Sequence, residues 1–286
     1  MAANANDKSV QFLYGTVFGR GLLHVILALR VPKMLGAVLR SPISRFYIKS
    51  FVKKNNIDMT GFEGVKFKSF NDFFTRKKEI SFDSEPTHLI SPADSLLSVY
   101  DVTDDAKFHI KGFDYTLQDF FEPQKFGLSE EEGKNLIESF KGGLCLVFRL
   151  CASDYHRYCF VDNGSQNGNH YIEGSLYSVQ PLVAEHFRLY TKNRRSWTIL
   201  DTENFGKIAQ IEIGAFSVGG IKNHFDQATF KKGEEKGYFD LHGSTIVLLV
   251  QKDCVKISEE IKKITDSGEE FRVKIGQWVA TKQQTI

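Results

Sequence analysis

An α+β fold is expected, with a β-rich core of packed antiparallel or mixed sheets and an N-terminal amphipathic helical region that binds membranes. Three observations predict it. Residues 246–250, Ile-Val-Leu-Leu-Val, form an unbroken apolar run behind a polar turn, the pattern of a fully buried strand. Residues 196–201 and 207–213 read as a hairpin closing through Asn204-Phe205-Gly206. Between Asp7 and Asp58 there is no acidic residue, while nine lysines and arginines are interleaved with large apolar side chains.

That basic stretch comes first in the chain. Pro32 and Pro42 divide it into two or three short helices. Phe12, Leu13, Phe18, Leu22, Leu23, Val25, Ile26, Leu27 and Leu29 supply an apolar side. Lys8, Arg20, Arg30, Lys33, Arg40, Arg45, Lys49, Lys53 and Lys54 supply the cations. Such a segment suits the headgroup layer of an anionic bilayer. A helical arm packed on its own domain, with a solvated basic face, is the other reading. The expected division is a membrane-association region at 1–60 and a catalytic domain at 61–286.

Composition excludes several classes. The 286 residues are 42% hydrophobic, enough for one large core or two small ones, and a net charge of +2 is too small to imply nucleic acid. Cys145, Cys151, Cys159 and Cys254 have neither a disulfide-framework pattern nor metal-type C-x-x-C spacing, so a reducing compartment and no metal are expected. Neither a cleavable signal peptide nor an apolar run long enough to span a bilayer is read.

Further along, residues 69–76 (Ser-Phe-Asn-Asp-Phe-Phe-Thr-Arg) should form a short helix or turn whose aromatics pack on the core. Ser91-Pro92-Ala93-Asp94-Ser95 precedes a strand at 96–100, and Asp94 reads as a turn carboxylate bonded to nearby backbone N–H groups. Ser129-Glu130-Glu131-Glu132 is a capping box that starts a helix over about 130–140, ended by Gly142-Gly143. A buried strand at 144–150 leads into Ser153-Asp154-Tyr155-His156-Arg157-Tyr158-Cys159. Continued as a strand, this segment would put Asp154, His156 and Tyr158 on one face and Tyr155, Arg157 and Cys159 on the other. A histidine beside a carboxylate is a general-base candidate, and a structural salt bridge is the plain alternative. A turn leading to a strand over 172–179, a helix over about 181–190 and a glycine-punctuated stretch at 214–221 follow. A charged turn at 231–237, a helix over about 259–264 and a last strand at 271–275 close the chain.

Gly243-Ser244-Thr245, at the mouth of the buried run, admits a reaction. The Ser244 hydroxyl can reach the Gly243 carbonyl, which no Cβ shields, through a five-membered ring. An N-to-O acyl shift gives an ester, β-elimination cuts the chain, and hydrolysis of the dehydroalanine leaves a pyruvoyl group. An ordinary turn before a core strand has the same three residues, so the motif alone does not decide.

In combination these segments resemble the phosphatidylserine decarboxylase proenzymes, over nearly everything from Phe12 to Gly276. The resemblance rests on Asn71-Asp72-Phe73-Phe74-Thr75-Arg76, Ser91-Pro92-Ala93-Asp94, Asp154-Tyr155-His156-Arg157 and Gly174-Ser175-Leu176-Tyr177-Ser178-Val179. Gly214-Ala215 with Val218-Gly219, residues 233–239 and Gly243-Ser244-Thr245 complete it, in the family's order. It implies self-cleavage at Gly243-Ser244 into chains 1–243 (β) and 244–286 (α) that stay together, with a covalent pyruvoyl group derived from Ser244. It implies that this group forms a Schiff base with phosphatidylserine, releasing CO2 and phosphatidylethanolamine. Asp94, His156 and Ser244 correspond to the family's processing triad. A peripheral place on the cytoplasmic face of the cell membrane is implied, and a homodimer is compatible with it. Tyr155 is a candidate for binding substrate, and Arg157, Arg194 and Arg195 are candidates for its phosphate or carboxylate.

Three departures from the family pattern stand out. Cys159 occupies the place of a second histidine, Ser95 follows the Asp motif where glycine is usual, and one extra residue before Gly243 brings in His242. Cys159 and His242 therefore join His156 as candidates for the base. The alternatives in function are a pyruvoyl decarboxylase of a soluble amino acid, against which the basic arm argues, and an uncleaved β-rich binding module.

Overall fold

The computed structural model describes residues 12–13, 15–29, 31–110, 113–175, 177–178, 183, 188–215, 220–241 and 244–283. Among the described residues three long helices come early in the chain: α1 (Val17–Ala28), α2 (Val31–Arg40) and α3 (Arg45–Asn55). Pro32 sits in the first turn of α2 and Pro42 begins a 3-10 turn before α3, places where a missing N–H breaks no helical bond. A short helix α4 (Phe70–Phe74) follows, its N-terminus capped by the Ser69 hydroxyl, which accepts the Asp72 N–H at 3.2 Å. Leu39 of α2 and Ile48, Phe51 and Val52 of α3 pack against Phe70, Phe73 and Phe74 of α4.

The rest of the chain is mostly strand. Its first part runs β1 (His88–Ile90), β2 (Ser95–Asp101), β3 (Lys107–Ile110), β4 (Phe113–Thr116), α5 (Leu117–Phe121), α6 (Glu130–Glu138) and β5 (Leu144–Leu150). Then come β6 (Arg157–Cys159), β7 (Gly164–Asn167), β8 (His170–Ile172), α7 (Leu189–Lys192), β9 (Arg195–Thr202), β10 (Gly206–Ile213), β11 (Gly220–Asn223) and β12 (Gln227–Phe230). The last part holds β13 (Glu235–Asp240), β14 (Ser244–Val250), β15 (Val255–Ile257), α8 (Glu259–Asp266), β16 (Phe271–Val273) and β17 (Trp278–Lys282).

Nine of these strands make one sheet, in the order β12-β7-β9-β10-β14-β5-β2-β16 with β8 also on β9. Every strand pairing among the described residues is antiparallel. The alternation of β14 sends Ile246, Leu248 and Val250 to one face and Val247 and Leu249 to the other. The first face is covered by two three-stranded sheets, β1-β17-β15 and β11-β13-β6. The second is covered by Leu23 of α1, the β3-β4 hairpin, α5 and α7. Both faces of the sheet are dry, which is why β14 is apolar from Ile246 to Val250 rather than alternating.

The α+β expectation holds, and the individual elements mostly follow the sequence. The capping box is formed in both directions: Ser129 Oγ accepts Glu132 N–H at 3.2 Å, and Glu132 accepts Ser129 N–H at 2.8 Å. The hairpin pairs β9 with β10, with Gly206 at φ +67° in its turn. Two expectations change. The chain turns at Cys151–Asp154, where Asp154 N–H donates to Cys151 O at 2.9 Å, so only Arg157–Cys159 is strand. The strand at 271–275 is not last, because β17 follows and pairs with both β1 and β15. Most of the helix expected over 181–190, and residues 216–219 of the glycine-rich stretch, lie outside the described residues; α7 begins at Leu189.

One polar cluster lies between the large sheet and β13. Lys236 Nζ donates to Glu212 at 2.8 Å and to Asn223 Oδ1 at 3.0 Å, and neither charged side chain is more than 1% exposed. Removing one partner of such a pair strands the other charge without solvent. Lys236→Met is therefore expected to destabilise the protein by about 3–5 kcal/mol, read as a lower urea midpoint. Adding Glu212→Leu should recover most of the loss. A single-variant loss below about 1 kcal/mol would mean the pair is effectively solvated.

Candidate active site

Register assembles one end of the large sheet. Ser244, the first residue of β14, pairs with Leu150 of β5. Leu150 lies level with Ser95 of β2, because Leu96 pairs with Arg149, and Ser95 pairs with Val273 of β16. Ser244, Leu150, Ser95 and Val273 thus form a row across four strands, and Asp94 stands just beyond it at the end where Ser244 enters. Ser244 is 1% exposed and its face is shared with Leu150, Phe148 and Ile246. Gly243 and His242 lie outside the described residues.

Asp94 is a buried carboxylate bonded far from its own turn. Its Oδ1 accepts the Ile275 N–H at 2.9 Å, and Lys274 Nζ approaches Oδ2 at 3.5 Å. These partners lie some 180 positions away in the chain, so the local-turn expectation is corrected. Asp154 is close enough for its charge to be felt. Burial, and to a lesser extent Asp94, raise the Asp154 pKa, while Cys151 N–H and Arg272 pull it down.

His156 is fully buried beside β13, where its carbonyl accepts the Phe239 N–H at 2.9 Å. The Phe74 ring lies over the imidazole with centroids 4.0 Å apart. His156 Nδ1 is 2.8 Å from the Asp154 carbonyl oxygen. A carbonyl only accepts, so Nδ1 carries the proton and Nε2 holds the basic lone pair. The expected pairing of His156 with the Asp154 carboxylate does not form. That carboxylate accepts Cys151 N–H at 2.7 Å and binds Arg272 at 2.9 Å, because the turn points it away from the imidazole.

The other candidates fall into place by their partners. Cys159 is wholly buried, its Sγ 3.9 Å from Ser91 O, and burial pushes its thiol up to about 12. The Arg157 guanidinium is occupied, donating to Thr75 O at 2.7 Å, Arg76 O at 3.1 Å and Glu235 at 2.6 Å. It clamps the segment after α4 to β13. Tyr155 OH accepts the Lys78 N–H at 3.0 Å. Arg195, 1% exposed, is bonded to Phe120 O, Asp119 O and Glu122 on the opposite face of the sheet, and Arg194 pairs with Glu173 at 2.7 Å. Both stand at the same end of the sheet as Ser244, since Arg195 pairs with Ile213 and Ile213 with Thr245, but their guanidiniums are already held by these partners.

Sequence reasoning missed four side chains there: Phe74 over His156, Arg272 and Lys274 on the two aspartates, and Arg76. Arg272 and Lys274 alternate with Phe271 and Val273 in the strand expected at 271–275, and nothing local in that pattern points to an aspartate. No group of three or more His, Cys, Asp and Glu that could hold a metal occurs among the described residues.

The class these features define is an α+β protein with a buried serine opening a central strand and a buried aspartate and histidine as candidate acid–base partners. A family model described as phosphatidylserine decarboxylase matches residues 70–281. Over 275 residues the chain is 42% identical to phosphatidylserine decarboxylase proenzyme 2 of Clostridium acetobutylicum, covering 95% of this chain and 91% of that protein. It is 36% identical over 287 residues to phosphatidylserine decarboxylase proenzyme of Clostridium perfringens, covering 97% and 94%, and 34% identical over 289 residues to that of Clostridium beijerinckii, covering 97% and 94%. The chain belongs to the phosphatidylserine decarboxylase family, and it is a decarboxylase.

Proposed function

We propose that this chain cuts itself between Gly243 and Ser244 and then converts phosphatidylserine to phosphatidylethanolamine and CO2. The observation that carries the reading is the placement of Ser244 as the buried first residue of β14, at the end of the sheet that also holds Asp94 and His156. His156 Nε2 takes the hydroxyl proton as Ser244 Oγ attacks the Gly243 carbonyl carbon, and the C–N bond breaks to give an ester. Loss of the Ser244 α-proton forms the Cα=Cβ double bond as the Cβ–Oγ bond breaks, releasing the Gly243 carboxylate and leaving dehydroalanine. Addition of water and loss of ammonia complete the pyruvoyl end.

The residues present fit such a group. Ser244 is hydrogen-bonded into a strand held between β5 and β10, so its position survives a cut on its N-terminal side. The group supplies an electrophilic carbonyl that accepts the electron pair left by departing CO2. The surrounding protein excludes water, which favours loss of a carboxylate because its charge disperses as the bond breaks. Two chains would stay together: segment 244–286 contributes β14 and β16 to the large sheet and β15 and β17 to a smaller one. Withdrawing β14 alone would expose five large apolar side chains at roughly 1.5–3 kcal/mol each. The intact masses of the polypeptides test the reading. Chains 1–243 and 244–286, the second blocked by pyruvate, are expected; a small chain read by Edman chemistry as Ser-Thr-Ile would overturn it.

The N-terminal arm supports docking on an anionic bilayer. Val17, Phe18, Ile43 and Phe46 are each at least 75% exposed, too much apolar surface for water alone. A groove of about 680 Å³ floored by Ile48, Val52, Met59 and Phe67 is rimmed by Arg45, Lys49, Lys53 and Lys66. No described helix is long and apolar enough to cross a membrane, which is consistent with a peripheral mode. Each lysine near an anionic surface contributes about 1 kcal/mol, so Lys49→Gln with Lys53→Gln should weaken vesicle binding roughly 30-fold. Co-sedimentation with phosphatidylglycerol vesicles should also weaken as salt rises. Equal binding to neutral and anionic vesicles at low salt would remove the electrostatic part.

A further inference from the structure

Four arginines of the catalytic region are largely buried, and three have their charge answered. Arg149 is held by both oxygens of Glu270, Arg157 by Glu235 and two carbonyls, and Arg195 by Glu122 and several carbonyls. Arg76 differs. It is 7% exposed, its Nη1 donates to Phe73 O at 3.2 Å, and its buried Nε has no hydrogen-bond partner among the described residues. The guanidinium lies over the rings of Phe73 and Phe62, 4.7 and 5.6 Å from their centroids. It forms no ion pair among the described residues; the Asp94 oxygens nearby are engaged by Ile275 N–H and Lys274. Burying a guanidinium with a donor unmet is costly, and aromatic faces return only part of that cost.

A buried cation with an unmet donor, beside Asp94 and one residue from the Thr75 carbonyl that Arg157 grips, is completed by an anion from outside. We propose that Arg76 binds the phosphodiester of the phospholipid substrate. This rests on the decarboxylase reading above and deepens it. The substrate headgroup carries two anions. A guanidinium on the carboxylate would stabilise the charge that must disperse as CO2 leaves, and so raise the barrier. The phosphodiester keeps its charge throughout, and planar N–H groups suit its oxygens. Arg76 therefore positions the substrate and takes no part in bond breaking. The structure thus moves the phosphate-binding cation from Arg157, whose donors are occupied, to its neighbour in the fold.

Arg76→Gln and Arg76→Lys, each in the full chain, test the assignment with short-chain phosphatidylserine below its micellar concentration. KM is expected to rise about 10- to 100-fold in the Gln variant, with kcat within a few-fold of wild type and self-cleavage complete by intact mass. The Lys variant, which keeps the charge, should recover part of the loss. Glycerol 3-phosphate should compete with substrate in the wild type and lose that effect in the Gln variant. A fall in kcat at unchanged KM, or failure of both variants to self-cleave, would overturn the role. A wild-type chain that carries no pyruvoyl end would instead remove the reading on which it rests.

Discussion

Ser244→Ala is expected to remain one uncut chain of 286 residues with no decarboxylase activity. Alanine fits the buried start of β14, and the strand's pairing with β5 and β10 uses only backbone groups, so the fold should persist. What disappears is the nucleophile. With no hydroxyl there is no acyl shift, no ester to eliminate and no carbonyl to accept electrons from substrate. The whole activity is therefore at stake, an effect larger than any expected from packing. Intact mass reads the uncut chain, and headspace CO2 from labelled phosphatidylserine reads the activity. Wild-type turnover by the uncut Ala variant would show that Ser244 is an ordinary core residue.

The second large effect falls on the base. His156→Ala is expected to slow self-cleavage by about 10²–10⁴-fold, the usual contribution of a positioned base, so that full-length chain accumulates. Asp94→Ala should do the same. The Asp94 carboxylate is tied to the Ile275 N–H and lies near Asp154, whose carbonyl holds the imidazole. Cys159→Ser and His242→Ala should still process. With its thiol pushed up to about 12, Cys159 is thiolate in only about one molecule in 10⁵ at pH 7. Raising the pH to 9 would leave it overwhelmingly protonated. Imidazole added to His156→Ala should restore part of the rate, because the vacated space lies under the Phe74 ring. Normal cleavage in His156→Ala with arrest in Cys159→Ser would reverse the assignment.

Much of the site was legible because its pieces are local. An apolar pentad behind Gly-Ser-Thr can only be a buried strand with a serine at its mouth, and β14 is buried at every position. The capping box, the β9-β10 hairpin and the α4 cap likewise join residues a few positions apart. The alternation argument at 153–159 failed for an equally local reason. A single turn at Cys151–Asp154 resets which side chains share a face, and composition gave no glycine or proline to mark it.

The sequence by itself determined the β-rich core, the basic helical arm and the residue types available for chemistry, since hydrophobic periodicity, caps and charge runs are set by neighbours in the chain. The tertiary structure alone decided how those residues are used. Asp94 meets Ile275 across 181 positions, and Arg157 meets Thr75 across 82. Asp154 offers His156 a carbonyl while giving its carboxylate to Arg272, 118 positions away. Arg76 and Arg157 look alike in sequence. Arg157 has its donors filled and Arg76 keeps an open one, because β13 delivers Glu235 to Arg157 while Asp94, near Arg76, is held by the turn between β16 and β17. Pairings between distant strands follow from burying both faces of the large sheet at once, a condition that no local window contains.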